Sequence, residues 1–144
     1  MRTLIASIIL ALASVGASAD GGPRRPPPET LVTHNGSLMA ARPHDDDHLQ
    51  IRYVDPRPGL WEVGVRPGTV LIHGQWHGTV LRATAYIFAY HCGPVPYPVS
   101  GSVGAGGILV LRGAAPIVDL RSCVVVDAAW TSNSTLVFEP TRHE

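Results

Sequence analysis

The sequence predicts an all-β fold: a small antiparallel meander barrel or compact sandwich of about seven strands, held by one disulfide and preceded by a disordered tail. Three observations carry that expectation. Beyond residue 50 the apolar residues recur with period two, and turn residues arrive about every 8–12 positions. The 15 glycines and 13 prolines among 144 residues disfavour helix interiors. Cys92 and Cys123 are the sole cysteines.

Size and charge narrow the function. A chain of 144 residues supports one small domain. Its eleven basic residues are all arginine and balance eleven acidic ones. A counterion-driven nucleic-acid binder needs a surplus of cations, so no nucleic-acid partner is expected. An apolar fraction of 45 % excludes a wholly disordered chain.

Residues 1–19 read as a signal peptide. Arg2 gives a positive start, residues 4–17 form an almost unbroken apolar run, and Ala17-Ser18-Ala19 supplies the small-x-small cleavage pattern. The run is shorter than the roughly 20 residues that span a bilayer. No cysteine follows the cut to carry a lipid, and no later stretch is long and apolar enough to cross a membrane. The expected product is a periplasmic or secreted chain beginning at Asp20.

Export favours joining Cys92 to Cys123. Closing a loop of about 30 residues stabilises by roughly 3–4 kcal/mol in the chain-entropy treatment. A Cys92 nucleophile activated by His91 is the weaker reading, because consecutive strand residues face opposite ways.

Residues 20–50 open with Gly-Gly-Pro-Arg-Arg-Pro-Pro-Pro and lack sustained periodicity. They are expected to be a Pro- and Asp-rich disordered tail, with polyproline at 26–28 as a stiff spacer and at most a short strand at 31–33. The tail carries His44, Asp45, Asp46, Asp47 and His48, the densest run of metal-ligand residue types. Adjacent carboxylates on a regular element cannot all face one ion, and a flexible loop loses entropy in closing around it. A solvated charge run is expected there, with no metal or other cofactor.

The β-domain is expected at 51–140, followed by a C-terminal tail at 141–144. Trp61, Val63 and Val65 alternate with polar neighbours as a half-buried strand would, ending at the Pro67-Gly68 turn pair. Further strands follow at 69–76, 79–90, 97–103, 108–112, 122–127 and 135–139, with Gly104-Ala105-Gly106-Gly107 as a hairpin connection.

One hairpin supplies the candidate site. With His77-Gly78 as a two-residue turn, Trp76 faces Thr79 and His73 faces Arg82. One face then holds Val70, Ile72, Trp76, Leu81, Ala83, Ala85 and Ile87. The other holds Leu71, His73, Gln75, Val80, Arg82, Thr84, Tyr86, Phe88 and Tyr90. Burying Arg82 unpaired is costly, so the aliphatic face is expected in the core. His73, Gln75, Arg82, Tyr86 and Tyr90 then form an exposed row in which aromatic faces stack and polar groups orient a ligand. A bulge near Ala85 would reverse this and send the aromatics into the core.

Catalytic patterns are missing: there is no Gly-x-Ser-x-Gly elbow, phosphate loop or dinucleotide fingerprint. His73 and His77 straddle a turn, unlike the paired histidines of a zinc helix. Asn133-Ser134-Thr135 matches a glycosylation acceptor, a pattern common by chance. The sequence therefore points to an exported, non-catalytic binding module for a small ligand, glycan or protein. The alternative is a structural protein pairing its aromatic face with another chain, and an unrecognised enzyme comes third.

Overall fold

The structure, a computed structural model, describes residues 28–45 and 47–142. The expected signal at 1–19 and cleavage after Ala19 lie outside the described residues. So do residues 20–27 of the expected tail.

Eight strands close into an antiparallel barrel. They are β1 (Thr30–His34), β2 (Ser37–His44), β3 (His48–Asp55), β4 (Val70–His77), β5 (Val80–Ala89), β6 (Gly93–Val103), β7 (Leu109–Arg112) and β10 (Thr135–Pro140). The order is a meander from β1 to β7, with β10 inserted between β7 and β1 to seal the sheet. The remaining strands, β8 (Ala115–Asp119) and β9 (Val124–Ala129), form a separate hairpin between β7 and β10. Closure gives every strand of the main sheet a partner on both sides. An eight-stranded barrel is just wide enough for side chains to fill its interior. Met39, Ile51, Ile72, Leu81, Leu111 and Phe138 do so here, each at most 1 % exposed.

The barrel begins at Thr30, not at residue 51. Residues 30–50, expected in the tail, supply β1, β2 and the start of β3, together with the buried Val32, Met39 and Ala40. Asn35-Gly36 makes the first turn: both residues have positive φ (46° and 77°), and His34 pairs with Ser37 across them. Asn-Gly is the favoured dipeptide for that two-residue turn. Strand β2 escapes a period-two reading because alanines occupy both of its faces and Pro43 lies near its end. The count rises from about seven strands to ten among the described residues.

Residues 61–65 do not form the expected half-buried strand. The alternation of Trp61, Val63 and Val65 belongs to a short 3-10 turn, Leu60–Val63, bracketed by Gly59 and Gly64 in left-handed conformations. Arg66 clamps it from outside. Its guanidinium donates to the carbonyls of Trp61 (2.8 Å) and Val65 (2.9 Å) and lies 4.3 Å from the Trp61 ring centroid. Val65 is consequently fully buried while Trp61 remains half-exposed.

The tight turn between β4 and β5 is Gly78-Thr79, not His77-Gly78, since His77 pairs with Val80. Each partner moves by two residues, which preserves facing. Ile72, Trp76, Leu81 and Ala85 accordingly share the core face as expected. Leu71, expected outside, is buried because a bulge between β3 and β4 leaves it between the Ile51–Ile72 and Arg52–Val70 pairs. Strand β6 starts earlier than expected. Pro94, Pro96 and Pro98 lie outward between the buried Val95, Tyr97 and Val99. Along that stretch β6 pairs only with β5, so missing N–H groups cost no second ladder.

Cys92 and Cys123 are joined, with Cα atoms 5.3 Å apart. The bond ties the β5–β6 turn to the β8–β9 turn and holds the outlying hairpin to the barrel.

Candidate functional site

In a meander, alternate turns lie at the same end of the barrel. The β1–β2 turn, the β3–β4 loop and the β5–β6 turn therefore share one end, and the loop before β10 joins them. Between them lies a pocket of about 390 Å³. Leu71, Ile87, Phe88 and Leu136 give it apolar walls, and His34, Tyr53, Arg57 and Tyr97 bring polar atoms to it.

Each polar group is held by a local cause. His34 ends β1 and is 8 % exposed, stacked on Phe138 with ring centroids 4.7 Å apart. Its Nδ1–H donates to the Val137 carbonyl at 2.9 Å. That fixes the tautomer and leaves Nε2 as acceptor, approached by the Asn35 amide at 3.4 Å. Burial lowers its pKa below the ordinary 6.5, the Val137 bond opposes this, and the Arg57 charge lowers it further. Burial likewise pushes the Tyr53 hydroxyl up to about 12 against the pull of Arg57. Tyr97 is also raised to about 12 by burial, and its hydroxyl donates to the Asn133 carbonyl at 2.6 Å. The Arg57 segment is anchored by its main-chain N–H donating to Ser37 Oγ at 2.9 Å.

Among the described residues, Arg57 is the only charged side chain lining the pocket, and no carboxylate accompanies it. The arrangement can hold an apolar body against Phe88, Leu71 and Leu136 while presenting one guanidinium and a tyrosine hydroxyl to its polar end. It has no paired acid and base. His34 is engaged at both nitrogens, and Tyr97 already donates its proton.

Of the residues expected to bind a ligand from the sequence, only Tyr86 lines this pocket among the described residues, and the others lie elsewhere. His73, Gln75 and Arg82 are exposed on the outer wall, and with His44, His48 and Gln50 they line an open groove of about 660 Å³. Tyr86 is half-buried, its hydroxyl hydrogen-bonded to His73 Nε2 at 2.9 Å. The expected flat row of aromatics does not form, although no bulge interrupts β5. Pairing of β5 with β4 stops at Ala85, and beyond it Phe88 meets Tyr53 edge-on with centroids 6.1 Å apart. Tyr90 stands exposed beyond the strand end against His91 and shares no groove with His73 or Arg82. Among the described residues, no group of three side chains at 44–48 or elsewhere is placed to hold a metal ion.

Sequence reasoning missed His34, Tyr53, Arg57 and Tyr97. The one local signal toward them was Asn35-Gly36, which places His34 and Ser37 opposite each other at a hairpin tip. Comparison with protein families, curated proteins and solved structures finds no match to this chain.

Proposed function

We propose that this chain is an exported, non-catalytic binding module that takes a small ligand into the end of its barrel. The observation that carries this reading is the barrel-end pocket itself. It is a concave site of mixed apolar and polar lining in which Arg57, Tyr53 and Tyr97 converge, and the mouth of a β-barrel is a usual place for a small-molecule site. The matching ligand has an apolar or aromatic body and one anionic head: Arg57 is unaccompanied by a lining carboxylate, and the walls leave little for a second charge to meet. Export rests on the leader at 1–19 and fits the Cys92–Cys123 bond. No helix among the described residues is long and apolar enough to cross a membrane.

A thermal-shift panel of small carboxylic acids, each beside its uncharged amide, tests the proposal. Acids should raise the melting temperature and amides should not, and Arg57→Gln should remove the difference. Equal shifts for acid and amide, or none for either, would contradict it.

The assembly reading draws on a different observation. Among the described residues, strands β8 and β9 pair only with each other, and Leu120, Val125, Val126 and the adjoining Trp130 are 49–68 % exposed. An unpaired edge with apolar side chains suits antiparallel pairing with a second copy. Concentration-dependent light scattering decides the matter, since a monomer at high concentration removes this reading.

A further inference from the structure

The strand register assembles a row that no local motif announces. His44 pairs with His48, His48 with Gln75, Gln75 with Arg82, Arg82 with Ser100, and Ser100 with Arg112. All six are exposed, so the row runs across the outer wall from β2 to β7. Arg82 lies in two adjoining depressions. One is the groove of about 660 Å³ over β2–β5, and the other is a hollow of about 280 Å³ bounded by Ser100 and Arg112.

Among the described residues, neither Arg82 nor Arg112 forms an ion pair, while Arg42 on the same barrel is bound to Glu29. Among the described residues, the one acidic residue lining either depression is Asp45, in the turn beyond His44. Two free guanidiniums flanking a serine hydroxyl form an anion clamp of charge-assisted donors. Ser100 places a neutral hydrogen-bonding group between the two arginines, and Gln75 places another beside Arg82.

We infer that this row is a second binding site, distinct from the barrel-end pocket, for a linear acidic polysaccharide whose sugars carry carboxylates. Shape and spacing both select that class. The row follows the curve of a closed barrel, so a flexible chain can lie along it whereas a flat bilayer touches only a part. Neighbouring strands are about 4.8 Å apart, which sets Arg82 and Arg112 about 10 Å apart along the row. That suits carboxylates separated by hydroxyl-bearing sugar rings, and it is far sparser than duplex DNA, with one charge per roughly 1.7 Å of axis.

Affinity electrophoresis of the intact protein tests the site, with polygalacturonate, neutral dextran or duplex DNA cast in the gel. Polygalacturonate should retard the protein, and dextran should not. DNA at equal charge should retard it far less. Arg82→Gln and Arg112→Gln should each weaken retardation about tenfold through the lost charge-assisted bonds, with unchanged melting temperatures. Amide resonances of Arg82, Ser100 and Arg112 should shift when wild-type protein is titrated with galacturonate oligomers, a readout independent of any variant. Absence of retardation, equal retardation by DNA, or shifts confined to residues away from the row would overturn the inference.

Discussion

The Tyr97 hydroxyl donates to the Asn133 main-chain carbonyl at 2.6 Å, bridging β6 and the loop that leads into β10. Strand β7 stands between them in the sheet but pairs with β6 only along Ser100–Val103. At the level of Tyr97 the ladder has ended, and the side chain makes the connection instead. Tyr97→Phe should therefore cost about 1–2 kcal/mol, since it leaves a partly buried carbonyl without its donor. Urea unfolding followed by circular dichroism measures this, and an unchanged midpoint would show the bridge to be idle.

Tyr97 and a second buried tyrosine, Tyr53, set an alkaline limit. Tyr53 and Tyr97 are raised to about 12 in the folded chain against an ordinary 10. Unfolded tyrosine gives up its proton first, so their contribution is complete below pH 10 and is lost as pH rises toward 12. Tyr53→Phe should flatten that decline. Ultraviolet titration should find two of the four tyrosines ionising near pH 12.

His34 sets the acid side. Burial depresses its pKa, so the unfolded chain takes up a proton near 6.5 that the folded chain refuses. The contribution is present above pH 6.5 and lost as pH falls below it. His34→Gln should reduce overall stability through the lost Phe138 stacking yet make it less dependent on pH between 7 and about 5. A slope as steep as that of the parent would assign the acid sensitivity to another group.

Reduction of Cys92–Cys123 frees the β8–β9 hairpin from the barrel end. The cost expected for a loop of this length is about 3–4 kcal/mol. Intact-mass measurement should find the oxidised chain two hydrogens lighter than the dithiol. Stability unchanged by reductant would mean that the hairpin is held by packing alone.

Two substitutions separate interior from surface. Phe138 is 1 % exposed and stacks on His34, so Phe138→Ala should cost about 3–5 kcal/mol. Arg82 is exposed on the outer wall, so Arg82→Ala should stay within about 0.5 kcal/mol. Comparable losses for both would mean that β5 faces the other way.

How far the molecule could be read from its sequence depends on where the information lies. Strands β7 and β10 alternate cleanly and were legible, as were β4 beyond its bulge and the first half of β5, and so was the outward facing of His73, Gln75 and Arg82. A two-residue error in the turn leaves parity intact. The first three strands were obscured by the alanines of β2 and by the His/Asp run at its turn, although Asn35-Gly36 pointed to a hairpin. At Trp61, Val63 and Val65 alternation misled, because Gly59 and Gly64 fold that stretch into a turn held by Arg66. The barrel-end pocket had no local signature. It gathers residues from His34 to Leu136, which meet only because β10 returns to pair with β1.

The central claim is that a ligand with an apolar body and an anionic head enters the barrel end beside Arg57. Its most direct test is a titration of the ¹⁵N-labelled protein with a small aromatic carboxylic acid, followed residue by residue in amide correlation spectra. Shifts should concentrate at Arg57, Tyr53, Phe88 and Tyr97, saturate with added acid and disappear in Arg57→Gln. Saturable shifts confined to the outer wall, or no saturable shifts across a panel of such acids, would contradict the account.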